Sequence, residues 1–120
     1  MKKILVVDDV AENRDIFLHL LEDQYLVLEA ADGREGIELA EREAPDLMFL
    51  DVSMPGMGGL EVIDALRKHS ELYRLPVIAI TAHSVFSARK AVEKGCNDFL
   101  LKPLTPQKIL DKIEKWLDQT

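Results

Sequence analysis

An α/β fold built on a doubly wound parallel sheet is what this sequence predicts, and three observations carry it. Five short apolar runs recur along the 120 residues, each of strand length and near-continuous, as in strands buried on both faces. Each run is followed by a stretch whose apolar residues recur with helical period. The runs also stop at polar stations: Asp8-Asp9, Asp51, Thr81 and Lys102 each follow or end one. Five strand-then-helix units require a parallel sheet with right-handed crossovers and helices on both faces.

The first run, Ile4 to Val7, is bounded by lysines and by Asp8-Asp9. From Ala11 to Glu22 the period turns helical. Ile16 with Leu20 and Phe17 with Leu21 form i,i+4 pairs expected to face inward, while Glu12, Asn13, Asp15 and His19 carry the wetter side. Leu26 to Ala30 is the second strand. Asp32 can cap the next helix with Glu35 in capping-box spacing, and Ile37 and Ala40 then point inward. Leu47 to Leu50 is the third strand. Gly59 or Leu60 opens the third helix, with Ile63 and Leu66 on its buried stripe and Lys68 at its positive-preferring end.

Pro76 starts the fourth strand, Val77 to Ile80, as proline can at a first strand position. A helix from about Ser84 to Lys94 has a thin apolar face (Val85, Ala88, Val92) and stops at Gly95, well placed as a C-cap. Asp98 to Leu101 is the fifth strand. Thr105 as N-cap and Pro106 at the first helical position open the last helix, with Ile109, Ile113 and Leu117 as its stripe. No linker, repeat or low-complexity tail interrupts the pattern, so one domain over residues 1–120 is expected, with no room for an output domain.

The totals exclude some roles. A net charge of -7 disfavours nucleic acid as a direct partner, because phosphate-backbone affinity needs clustered Lys and Arg. One cysteine, Cys96, forbids an intramolecular disulfide and fits a reducing compartment. The apolar run after Met1-Lys2-Lys3 ends too early for a signal peptide, and no stretch is long enough to span a bilayer. A cytoplasmic protein without membrane contact is expected.

The polar stations carry the chemistry. A carboxylate at the carboxyl edge of a buried strand is costly unless something pairs with it or is coordinated by it. Asp8, Asp9 and Asp51 offer the hard oxygen ligands that magnesium takes, one or two directly and one through water. An aspartate held against a cation can attack phosphorus as a nucleophile. Lys102 can neutralise the product dianion and the Thr81 hydroxyl can donate to one of its oxygens. A mixed-anhydride phosphate on Asp51 is the expected product. Taken singly, Phe99, Met54, Met57, Cys96 and Trp116 read as core filling, and His83 has no metal-ligand spacing. A cis bond at Lys102-Pro103 would aim the lysine inward, but spacing does not fix the isomer.

The acid pair Asp8-Asp9, the D-x-x-M-P-x-x-x-G frame of Asp51, Met54, Pro55 and Gly59, Thr81-Ala82 and Lys102-Pro103 span the chain in order. Together they resemble the receiver domain of two-component response regulators, in its stand-alone, chemotaxis-regulator-like form. The resemblance implies a flavodoxin-like (βα)5 three-layer sandwich with sheet order 2-1-3-4-5. It implies that Asp51 takes a phosphoryl group from a phosphohistidine, with slow self-catalysed hydrolysis and no turnover of an outside substrate. Asp9, Asp51 and the Ser53 backbone carbonyl would hold magnesium (manganese as an alternative), and Asp8 would act mainly through water. No organic cofactor is implied. Thr81 and Phe99 would form the switch, remodelling the face of the fourth helix, fifth strand and fifth helix; Ser53 and His83 would tune the rate. Implied partners are a histidine kinase or histidine phosphotransfer protein, docking on the first helix with Arg14 and Leu18 as candidates, and a downstream effector protein. The protein itself would be a monomer or weak dimer. Two departures stand out: position 99 is Phe where Tyr is common, and Gly58 replaces a frequent Asp or Asn.

Three other classes compete. A small-molecule phosphohydrolase with an aspartyl nucleophile would place a second acid two residues on, where Ser53 stands, and would need a cap domain. A flavin or nucleotide carrier would need glycines in the loop Asp8 to Ala11, whose acids repel anions. A phosphorylation-independent scaffold would have no reason to retain every charged station.

Overall fold

The computed structural model describes residues 1–54, 58–82 and 85–117, and for residues 85–87 the backbone alone. Pro55, Met57, His83 and Ser84, and the side chain of Val85, therefore lie outside the described residues. Along the chain run β1 (Lys3–Val7), α1 (Ala11–Leu21), β2 (Leu26–Ala30), α2 (Gly33–Glu43) and β3 (Leu47–Asp51). There follow α3 (Gly59–Lys68), β4 (Val77–Thr81), α4 (Val85–Glu93), β5 (Asp98–Leu101) and α5 (Pro106–Trp116). All strand pairs are parallel, in the order β2-β1-β3-β4-β5. The expected α/β sandwich and strand order are those observed.

Period-two alternation sorts the strand side chains into two cores. Leu5, Val7, Met48, Leu50, Val77 and Ala79 pack with Val62, Ile63 and Leu66 of α3, Ala40 of α2 and Ala91 of α4. Ile4, Val6, Leu47, Phe49, Ile78 and Ile80 pack with Phe17 and Leu21 of α1 and with Ile109 and Ile113 of α5. The Phe17 and Phe49 rings meet at 4.8 Å between centroids, and truncating either would destabilise by about 3–5 kcal/mol. β3 lies at the centre with all five residues buried. Among the described residues no helix is long and apolar enough to cross a membrane.

Local chemistry sets the ends of the elements. Asp32 Oδ1 accepts from the Glu35 N–H at 2.9 Å. The Glu35 carboxylate reaches back to the Ala31 N–H, one residue earlier than a capping box expects. Thr105 caps α5 by accepting from the Lys108 N–H, with Pro106 inside the first turn. Gly95 ends α4 at φ 123°, a conformation open to glycine. Gly59 is required for space: a Cβ there would lie 2.4 Å from the Val52 Cα.

Two residues on expected apolar faces lie open to solvent. Ile16 is 39% exposed, because Phe17 and Leu21 already fill the α1 contact with the sheet. On α4 the buried residues among those described are Ala88 and Ala91, whereas Val92 is 41% exposed.

Two polar assemblies have no counterpart in the sequence reading. The Arg67 guanidinium, at the end of α3, donates to the carbonyls of Gly95, Tyr73 and Leu75 and to Asn97 Oδ1, at 2.8–3.0 Å. Burial lowers its pKa, and the nearby Cys96 opposes this. Asp98, at the start of β5, accepts from Lys112 Nζ, Lys115 Nζ and Trp116 Nε1. Trp116 thus packs on the second core while its indole N–H fastens α5 to β5. Cys96 is buried, and burial pushes its thiol up to about 12, so it is inert.

Candidate metal and phosphoacceptor site

The site stands beyond the carboxyl ends of β1, β3, β4 and β5, where ligands bind in open parallel sheets. Asp8 prolongs β1 by one rung, its N–H donating to the Ala30 carbonyl at 3.0 Å. The Asp8 side chain is fully enclosed. Its Oδ1 accepts from the Val10 N–H at 2.9 Å and its Oδ2 from Asn13 Nδ2 at 3.2 Å, tying the loop to the first turn of α1. Burial holds the Asp8 carboxyl above the usual carboxylate range; the Val10 N–H works against this, and the charge of Asp51 adds to it. Asp9 is exposed. Its carboxylate makes no hydrogen bond or ion pair with any described residue.

Asp51 is the last residue of β3 and only 3% exposed. Its Oδ1 accepts from the Ser53 N–H at 2.7 Å and its Oδ2 faces Lys102 Nζ at 3.1 Å. Asp8, Asp9 and Asp51 each bring one carboxylate oxygen within 4.8 Å of the others. Three acids so close, two of them buried, repel one another unless a cation is shared, and the donor set is all oxygen. These residues fit a hard divalent cation.

Lys102 is set by its backbone: its N–H donates to the Thr81 carbonyl at 2.9 Å, and the Lys102-Pro103 peptide is cis. Thr81 ends β4 and is fully buried. Phe99 is half-buried against the core that includes α4 residues. Ser53 is exposed beside Asp51, and Met54 is buried in the first core. An open hollow next to Lys102 is lined by Asn13, Ile16, Pro103 and Leu104, which accounts for the exposure of Ile16.

Arg14, expected as a docking candidate on the first helix, is also tied to the site. Its Nη1 donates to the Asp8 carbonyl at 2.7 Å and its Nε to Glu29 Oε1 at 3.2 Å. Asn13 and Arg14 are the site residues the sequence reading did not assign there. The available signal was their position one helical turn after the acid pair, which returns them to its backbone.

The model of the response regulator receiver domain matches residues 4–114. The polar-differentiation response regulator DivK of Brucella anthropi is 30% identical over 118 residues, covering 97% of this chain and 96% of its own. The chemotaxis response regulator CheY4 of Vibrio cholerae superposes with a TM-score of 0.91 at 34% identity, over 98% of this chain and 99% of its own. The receiver domain of the sensor histidine kinase PA1611 from Pseudomonas aeruginosa, with a magnesium ion coordinated in the active site cleft, gives 0.89 at 28% identity, over 98% of both chains.

Proposed function

This chain belongs to the family of response regulator receiver domains, and on that premise we propose that it is a phosphoryl-accepting signalling switch centred on Asp51. An Asp51 carboxylate oxygen attacks the phosphorus of a phosphohistidine on a histidine kinase or histidine phosphotransfer protein. The oxygen–phosphorus bond forms, the phosphorus–nitrogen bond breaks, and the imidazole leaves after taking a proton. The observation that carries this reading is the pairing of Asp51 with Lys102 at 3.1 Å inside a cluster of three carboxylates.

A bound magnesium ion supplies charge neutralisation for the phosphoryl oxygens. Asp9, Asp51 and the Ser53 carbonyl would hold it directly, with manganese as an alternative ion. A water-mediated role for Asp8 is supported by its two oxygens already accepting from Val10 and Asn13. Lys102 offsets the added charge, and the Thr81 hydroxyl donates to the new phosphate. Movement of Thr81 is coupled to the Phe99 ring, and so to the surface formed by α4, β5 and α5, which meets an effector protein. Ser53 and His83 set the rate of self-dephosphorylation. The chemistry is self-modification, as in the family, without turnover of an outside substrate. The domain is taken to extend over residues 1–120, in the cytoplasm, as a monomer or weak dimer without direct nucleic-acid or membrane contact.

Incubation with magnesium and acetyl phosphate should add one phosphoryl mass, labile to alkali and absent in Asp51→Asn. Modification mapping to another residue, or surviving in Asp51→Asn, would overturn the assignment.

A further inference from the structure

The Asp9 carboxylate makes no hydrogen bond or ion pair among the described residues, whereas the backbone that carries it is held on both sides. That backbone begins with the Asp8–Asp9 peptide. The Asp8 carbonyl, which lies in its plane, accepts from Arg14 Nη1 at 2.7 Å. One peptide earlier, the Asp8 N–H is held by the Ala30 carbonyl at 3.0 Å. The guanidinium is anchored in turn, its Nε on Glu29 Oε1 at 3.2 Å and its side chain 18% exposed. Glu29 and Ala30 are neighbours on β2, so β1, α1 and β2 close a ring around this one peptide.

We infer that Arg14 is a positioning residue: it fixes the plane of the Asp8–Asp9 peptide and so aims the Asp9 carboxylate at the space shared with Asp8 and Asp51. The inference rests on the reading that this cluster holds a divalent cation. Its sign separates it from an electrostatic role. A positive charge beside three carboxylates weakens cation binding, so removing it should by charge alone tighten the site. Loss of positioning weakens it. A planar fork also reaches the Asp8 carbonyl and Glu29 together, which a lysine nitrogen does not.

Calorimetric titration of the full chain with magnesium chloride tests this on wild type, Arg14→Ala and Arg14→Lys. Wild-type binding comes first, since its absence would overturn the reading of the cluster itself. Given that binding, Arg14→Ala is expected to weaken magnesium affinity about 10-fold, at the low end for a residue supporting a metal ligand, with Arg14→Lys recovering part of the loss. In the metal-free protein the Asp9 amide resonance should shift in Arg14→Ala. Unchanged or tighter binding in a folded Arg14→Ala overturns the positioning role alone. Equally, a defect confined to phosphorylation by a protein donor, with magnesium affinity and the acetyl phosphate rate intact, would make Arg14 a docking contact. If Arg14→Ala does not fold, Arg14→Gln and Arg14→Lys carry the same test, and wild-type affinity in both overturns it.

Discussion

Lys102 Nζ sits 3.1 Å from Asp51 Oδ2, in the only ion pair that any of the three clustered acids makes among the described residues. The pair is unequal, because the lysine side chain is 25% exposed and the aspartate side chain 4%. Water therefore screens one partner, and the lysine is better placed to answer charge arriving at Asp51 than to stabilise the resting fold.

From this, Lys102→Ala should slow phosphorylation by acetyl phosphate roughly 100-fold, the usual range for losing one preorganised charge-stabilising group. Magnesium affinity should hold or rise, since a positive charge has left. Intact-mass time courses beside calorimetry check both; equal rates in the two proteins would remove Lys102 from the chemistry.

Asp8→Asn should stabilise the metal-free protein at neutral pH by about 1 kcal/mol, because it removes a buried charge that lies beside Asp51. The folded-state pKa of Asp8 is raised by burial, so the native state binds its proton more tightly than the unfolded chain. Stability therefore falls as pH rises through the raised value and stays lower above it. The advantage of the asparagine should fade below about pH 4, where both states of the wild type are protonated. Thermal melts in EDTA across that range measure it.

Asp98 has the opposite sign. Burial alone would raise its pKa, but the Trp116 indole, Lys112 and the Phe99 N–H hold it at about 2. Its contribution is complete above the unfolded value near 3.9 and disappears as pH falls through about 2. Asp98→Asn should lose about 1–2 kcal/mol at pH 7, allowing for screening of the two lysines. Urea unfolding at pH 7 and near pH 2 should show that difference shrinking at acid pH.

Gly58 and Gly59 should respond oppositely to added bulk. A Cβ on Gly58 meets nothing within 4 Å, and the residue occupies the N-cap of α3 without a side-chain cap. Gly58→Asn should stabilise by about 0.5 kcal/mol. Gly59→Ala drives its methyl onto Val52 backbone and should destabilise by about 1–3 kcal/mol. Denaturant midpoints separate the two.

The parts of this molecule that were legible in its sequence are those governed by local period and by residues with one dominant use. Apolar runs gave the strands, and the caps Asp32, Thr105 and Gly95 stand at helix ends as read. The convergence of Asp8, Asp9 and Asp51 followed from parallel strands sharing a direction. Arg67, Asp98 and Arg14 were not legible in the same way. Each is a charged residue whose partners lie on other elements, up to 30 residues away for Arg67 and Asn97. A charged residue in a helix looks alike whether it faces water or gathers loop carbonyls. Ile16 was misjudged because helical period marks a stripe without saying how much of it a sheet can cover.

The full enclosure of β3 has a mechanical consequence. Leu47–Asp51 pairs with β1 on one side and β4 on the other, and has side chains packed on both faces. A strand clamped on four sides cannot recoil when its terminal carboxylate gains bulk and charge. Any displacement has to be exported sideways, to the residues on the rim that still have room to yield: Ser53, Ala82 and Lys102.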